Sequence, residues 1–206
     1  MSELNHPILK QSFALIDRQI GEHNLNAAEY AIARRVIHST ADFEFINLLK
    51  FSPEAIESGI KSLQEKVAIV TDVTMVKQGI KNQVDRTFKN PILSAVEAAS
   101  SPLPGKTRTE TGLLKCFQNY PDSIYVFGNA PTALLALCSA LSNSPIKPKL
   151  IIGAPVGFVS VVESKQALAE ISIPQIRVEG NKGGSTVAAA IINALLVMAW
   201  EKKGVG

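Results

Sequence analysis

Hydrophobic positions along this chain change their rhythm near residue 65. Before it the spacing is helical. Pro7 to Ile20 places Ile8, Phe13 and Ile16 on one side and predicts a first helix. Ala27 to Ser39 predicts a second, with Asn26 positioned to cap it. A third is predicted to start at Pro53, with Ser52 as its cap. After residue 65 the apolar residues come in short runs: Val67–Val70, Ile92–Val96, Ile124–Phe127, Leu150–Ile152 and Ile176–Val178. Each run is followed by a turn signal and a helix-like stretch. Strands alternating with helices imply right-handed crossovers and a parallel sheet. The pattern therefore predicts a three-layer, flavodoxin-like α/β fold, with a five-stranded parallel sheet after an N-terminal helical segment. Ligands of such sheets bind beyond the carboxyl ends of the strands. There lie the polar loops Thr71-Asp72, Thr107–Thr109, Gly128–Thr132, Gly153–Gly157 and Gly180–Ser185.

Composition narrows this picture. Hydrophobic residues make up 46% of 206, which suits a sheet covered on both faces. Ser100 to Gly105 is the only linker-like stretch and is too short to divide the chain, so residues 1–206 read as one domain. The net charge of +3 comes without a basic block, which argues against nucleic acid and leaves an acidic small molecule as the favoured partner. Cys116 and Cys138 lack metal-ligand spacing and read as buried, reduced thiols. No metal site is expected. The start of the chain lacks the pattern of a secretory signal. The apolar stretch Val187 to Trp200 is interrupted by Asn193 and falls short of the ~20 residues that span a bilayer. It reads as a buried helix, with no membrane partner, and the expected location is cytoplasmic.

Candidate chemistry begins on the second helix. Ala28, Ile32, Ala33, Val36 and Ile37 fall on one side; Arg34, Arg35 and His38 fall opposite. If the helix continues, Asp42 joins them at i+4. Histidine is well suited to give and take a proton near neutrality, and a bound polycarboxylate would neutralise the two guanidiniums beside it. A solvated helix face gives the same spacing. Thr107 and Glu110 have capping-box spacing, which puts Arg108 at a first helical position, either on the surface or on an anion. Gly180-Asn181-Lys182-Gly183-Gly184-Ser185 resembles a phosphate loop but lacks the GxxxxGK[ST] spacing. Gly128-Asn129-Ala130-Pro131-Thr132 and Gly153–Phe158 are turns that either offer backbone N–H groups to a ligand or simply connect elements. His6 and His23 read as surface residues.

Together these segments resemble the precorrin-8X methylmutases, including the cobalt-precorrin-8 methylmutases. The matching pieces are Ser12–Ile16, Arg35-Val36-Ile37-His38, Thr71–Val76, Thr107-Arg108-Thr109, Gly128–Leu134, Pro155–Val159 with Glu163-Ser164-Lys165, and Lys182–Ser185. They occur in the family's order and cover nearly the whole chain. Glu179 and Asn181 stand where the family often has arginine. The resemblance implies a homodimer and an isomerase that moves a methyl group from C-11 to C-12 of a carboxylate-fringed tetrapyrrole, giving hydrogenobyrinate or cobyrinate. It makes His38 the acid/base residue and puts Ser12 and Arg35 on the substrate. With Thr107, Arg108, Thr109, Asn129, Lys182, Gly183 and Gly184 these form the candidate binding set. No cofactor or methyl donor is implied. The alternative on the same fold is a non-catalytic tetrapyrrole carrier. A nucleotide or flavin protein would need a phosphate loop that the chain lacks.

Overall fold

The structure is a computed structural model that describes residues 7–142 and 144–204; His6 lies outside them. The elements in chain order are α1 (Pro7–Ile20), α2 (Ala27–Thr40), α3 (Phe45–Leu48), β1 (Leu49–Phe51), α4 (Ala55–Gln64), β2 (Ile69–Thr71), α5 (Thr74–Arg86), β3 (Ile92–Ser94), α6 (Ala95–Ala98), α7 (Arg108–Asn119), β4 (Ile124–Phe127), α8 (Pro131–Leu141), β5 (Leu150–Gly153), α9 (Val161–Ala169), β6 (Gln175–Val178) and α10 (Ser185–Lys203). The sheet order is β1-β6-β5-β4-β2-β3. The five strands β2 to β6 pair in parallel and have the doubly wound, flavodoxin-like order.

The sheet has six strands, not the expected five. The addition is β1, which pairs antiparallel with β6 through Leu49↔Val178 and Phe51↔Ile176. Leu-Lys-Phe is three residues long and directly follows a helix, so no apolar run announced it. A second correction concerns the third predicted helix. It starts at Ala55 with Glu54 at its N-cap, without a side-chain cap. The Ser52 hydroxyl instead accepts from the Gln175 backbone N–H at 2.8 Å, tying the chain after β1 to the start of β6.

Alternation along each strand sorts its residues onto two faces. Ile69, Ile124, Val126, Leu150, Ile152 and Ile176 belong to one core cluster with α2, α4, α5 and α10. Val70, Tyr125, Phe127 and Ile151 belong to the other, with α7, α8 and α9. α10 runs through the first layer, packed against α2, α4 and α5 and against β4 and β5. By length and composition it is apolar enough to cross a membrane. Here those apolar side chains fill the core, with Val187, Ala188, Ile191, Ile192, Leu195 and Leu196 buried.

In the other layer α6 packs tightly on α7. A Cβ at Gly112 would lie 1.8 Å from the Ala95 carbonyl oxygen, so only glycine fits there. Gly112→Ala is expected to cost about 3 kcal/mol through forced displacement of the two helices, read as a lower denaturant midpoint at an unchanged slope.

Candidate active site

α2 is built as its sequence dictates. The Asn26 side chain accepts from Ala28 and Glu29 N–H, and Glu29 returns a bond to the Asn26 N–H at 3.0 Å. Ile32, Ala33, Val36 and Ile37 are buried, which leaves Arg34, Arg35 and His38 on the other side. That shared side does not give them a shared role. Arg34 Nη1 meets both Asp17 oxygens, at 2.9 and 3.3 Å, and its guanidinium lies 4.4 Å from the Phe13 ring centroid. The Tyr30 hydroxyl also donates to Asp17, at 2.6 Å. Arg34 thus clamps α1 to α2.

Arg35 and His38 line one cleft of about 320 Å³ between α2, α5 and α10. Ser39, Met75, Gly79, Ser185, Thr186, Ala189, Ala190 and Asn193 complete its walls. His38 is exposed and stands edge-on to Phe13, with ring centroids 5.7 Å apart and planes at 87°. Burial holds Arg35 below the ordinary guanidinium range, and Glu201 offsets part of that shift; it stays cationic at any working pH. The floor is made of small α10 side chains at helical spacing. Asn193 is the exception: its amide donates to the Gly79 carbonyl at 3.0 Å, and its Oδ1 has no partner among the described residues. The break it makes in an apolar run was the only trace of this floor in the sequence.

Asp42 does not join His38 on a longer helix, because α2 stops at Thr40. Ala41 takes a left-handed conformation (φ 54°) and closes the last turn onto the Ile37 carbonyl. The chain turns, and the Asp42 carboxylate meets Lys182 at 2.6 Å; Glu44 meets the same ammonium at 3.0 Å. Lys182 holds the Asp42 carboxyl below its usual range, and the two carboxylates push Lys182 upward. Lys182 therefore ties the loop before α10 to the turn after His38.

The Gly128–Thr132 turn is also occupied from within. Asp72 Oδ2 accepts from the N–H groups of Gly128, Asn129 and Ala130 at 3.0, 2.6 and 2.8 Å, and Oδ1 accepts from Val73 at 2.8 Å. Burial pushes the Asp72 carboxyl up, against the pull of these four donors. The backbone donors that the sequence offered to a ligand at Asn129 are thus spent on the chain's own carboxylate at the start of α8. The Asn129 side chain remains exposed.

The remaining candidates lie on other elements. Thr107 forms the expected capping box with Glu110, Arg108 is the first residue of α7, and Thr107 and Thr132 hydroxyls lie 3.4 Å apart. This group, with Thr109, belongs to the layer across the sheet from the His38 cleft. Ser12 sits on α1, where its hydroxyl donates to the Ile8 carbonyl at 3.0 Å. Gly183 and Gly184 carry the chain into α10. A Cβ on Gly183 would approach the Ala154 carbonyl oxygen to 2.3 Å. Among the described residues no group of three or more His, Cys, Asp or Glu side chains could hold a metal ion.

An α/β scaffold with a histidine and an arginine in one cleft beyond its strands has close relatives. The precorrin-8X methylmutase family model matches residues 7–198. The chain is 56% identical to the cobalt-precorrin-8 methylmutase of Synechocystis sp., covering 98% of this chain and 100% of that protein. It is 37% identical to the precorrin-8X methylmutase of Pseudomonas aeruginosa, over 91% of this chain and 93% of that one. The precorrin-8X methyl mutase of Thermus thermophilus superposes with a TM-score of 0.87 at 36% identity, covering 95% and 96% of the two chains. These likenesses define the class as an isomerase of the methylmutase type. The chain belongs to the precorrin-8X methylmutase family.

Proposed function

We propose that this chain is a single methylmutase domain that moves a methyl group from C-11 to C-12 of cobalt-precorrin-8, giving cobyrinate, with His38 as proton donor and acceptor. The observation that carries this is the pairing in one cleft of an exposed imidazole with a cation held charged beside it. Protonation of the conjugated macrocycle makes it electron-poor and eases a suprafacial 1,5-shift of the methyl group. Return of the proton to His38 completes the change of unsaturation. The reaction is an isomerisation, so the proton is regained and no donor, oxidant or cofactor is consumed. The cobalt form is favoured because the Synechocystis relative, at 56% identity, bears that name. The metal would arrive inside the substrate.

A cleft of about 320 Å³ takes one edge of such a ring with its arms. The rest would extend along the carboxyl edge of the sheet, where Thr107, Arg108, Thr109, Lys182, Gly183 and Gly184 could meet acetate and propionate groups. Met75, Val156, Phe158 and Val159 are apolar and exposed, Phe158 by 93%. A second copy of the chain covering these residues would close the site, which supports a homodimer. Two buried unpaired thiols suit a reducing, cytoplasmic setting.

The test is an absorbance assay of the purified protein with cobalt-loaded and metal-free substrate. Conversion of the cobalt form, faster than that of the metal-free form, is the expected result. Faster turnover of metal-free precorrin-8X would reassign the substrate. Binding of both without spectral change would make the protein a carrier.

A further inference from the structure

Lys165 on α9 is a buried cation that no step above uses. The residue is 3% exposed, and among the described residues no carboxylate bonds it. The ammonium donates to two backbone carbonyls, Gly180 at 2.6 Å and Lys182 at 2.7 Å. Both belong to the loop that leads into α10. The same loop is stitched to the neighbouring turn by Gly184 N–H to the Ala154 carbonyl (2.8 Å), Gly157 N–H to the Asn181 carbonyl (3.1 Å) and the Asn181 amide to the Gly157 carbonyl (2.6 Å). A buried lysine is costly unless its charge does something for the molecule.

A trans peptide points its C=O and its N–H in opposite directions. Drawing the Gly180 and Lys182 carbonyls inward to Lys165 therefore turns the Asn181 and Gly183 N–H groups outward. Outward carbonyls would repel an anion, and outward N–H groups attract one. The loop also adjoins the amino end of α10, the longest helix, whose Ser185 and Thr186 line the His38 cleft. We infer that Lys165 is a positioning residue of this site: by holding the Gly180 and Lys182 carbonyls inward it presents the Asn181 and Gly183 N–H groups to a carboxylate arm of the corrinoid. The inference rests on the proposed function, since it assigns one binding contact of that substrate.

The charge state supplies a readout that a purely structural lysine would not. Burial lowers Lys165 to about 8. The charged groups on its own helix and on the strand and loop above it are engaged elsewhere or exposed. Glu163 is exposed, Arg177 and Lys50 pair with Glu179, and Lys182 pairs with Asp42 and Glu44. α8, packed against α9, carries no charge. The folded value lies below the ordinary 10.5, so the buried charge costs stability below pH 8. That cost is relieved as pH rises from about 8 toward 10.5. Deprotonation leaves weaker, uncharged donors on the two carbonyls. Stability and substrate binding are thus expected to respond to alkaline pH with opposite signs.

The experiment compares wild type with Lys165→Gln, which keeps two N–H donors without charge, from pH 7 to 9.5. Corrinoid affinity, turnover and unfolding midpoint are measured on each. In wild type, affinity should fall about tenfold across this range while Lys165 contributes a rising stability. In Lys165→Gln the affinity should be about tenfold weaker at pH 7 and flat with pH, at near-normal kcat under saturation. Wild-type affinity that is constant with pH overturns the inference, even if the variant does not fold. So does a folded variant that binds like wild type. A wild type that binds no corrinoid overturns the proposed function and this inference with it.

Discussion

Replacing His38 with alanine should lower kcat for the methyl shift by about 10²–10⁴-fold while leaving corrinoid affinity within a few-fold. The ring stands at the mouth of the cleft, held edge-on by Phe13, at the end of a helix whose other face is locked in the core. Its loss removes the proposed proton carrier without opening the interior, since His38 is exposed. Arg35 stays in place in the cleft wall. Stopped-flow absorbance under saturating substrate, with binding followed separately, distinguishes the two effects. Turnover within threefold of wild type would remove His38 from the chemistry. A parallel collapse of affinity would make it a binding residue instead.

Asp72→Asn should cost about 3 kcal/mol of stability, the largest effect expected from an isosteric change outside the cleft. Four backbone N–H groups converge on the carboxylate, three of them on Oδ2. An amide supplies one acceptor oxygen and turns N–H against N–H at the other. It also removes the negative charge from the start of α8. For a chain of this size the midpoint should fall by roughly 6–12 °C. A shift below 2 °C would show that the turn holds without the charge. Because Gly128, which lies in that turn, would place a Cβ 2.7 Å from Ser185 Cα, the loosened turn should also disturb the cleft at α10. A modest fall in kcat/KM at low temperature, where the variant is folded, is the accompanying sign.

Much of the fold was legible because period and punctuation are local properties. Helix α1 appears where its apolar spacing put it, Asn26 caps α2 as expected, and the Thr107–Glu110 capping box forms as its four-residue signature specifies. The five parallel strands follow the apolar runs. β1 was not legible, since a three-residue strand exists only through the edge of β6 that receives it. The sequence offered candidate site residues but not their arrangement. Helical spacing placed Arg34 beside His38 as well as Arg35, but a carboxylate on α1 claims Arg34. The turn that starts at Gly128 looked open to a ligand, and an aspartate 56 residues earlier in the chain fills it.

The sequence by itself determined most of the elements and the family's motifs, because each of these is written in short-range pattern. Only the tertiary structure decided which charges are spent within the chain and which face the cleft. Charge pairing depends on distance in space, and Asp17, Asp42 and Asp72 find their partners across turns and layers that no spacing along the chain encodes. The cleft between α2, α5 and α10 is lined by the His38 imidazole and the Arg35 guanidinium, which come from one helix face.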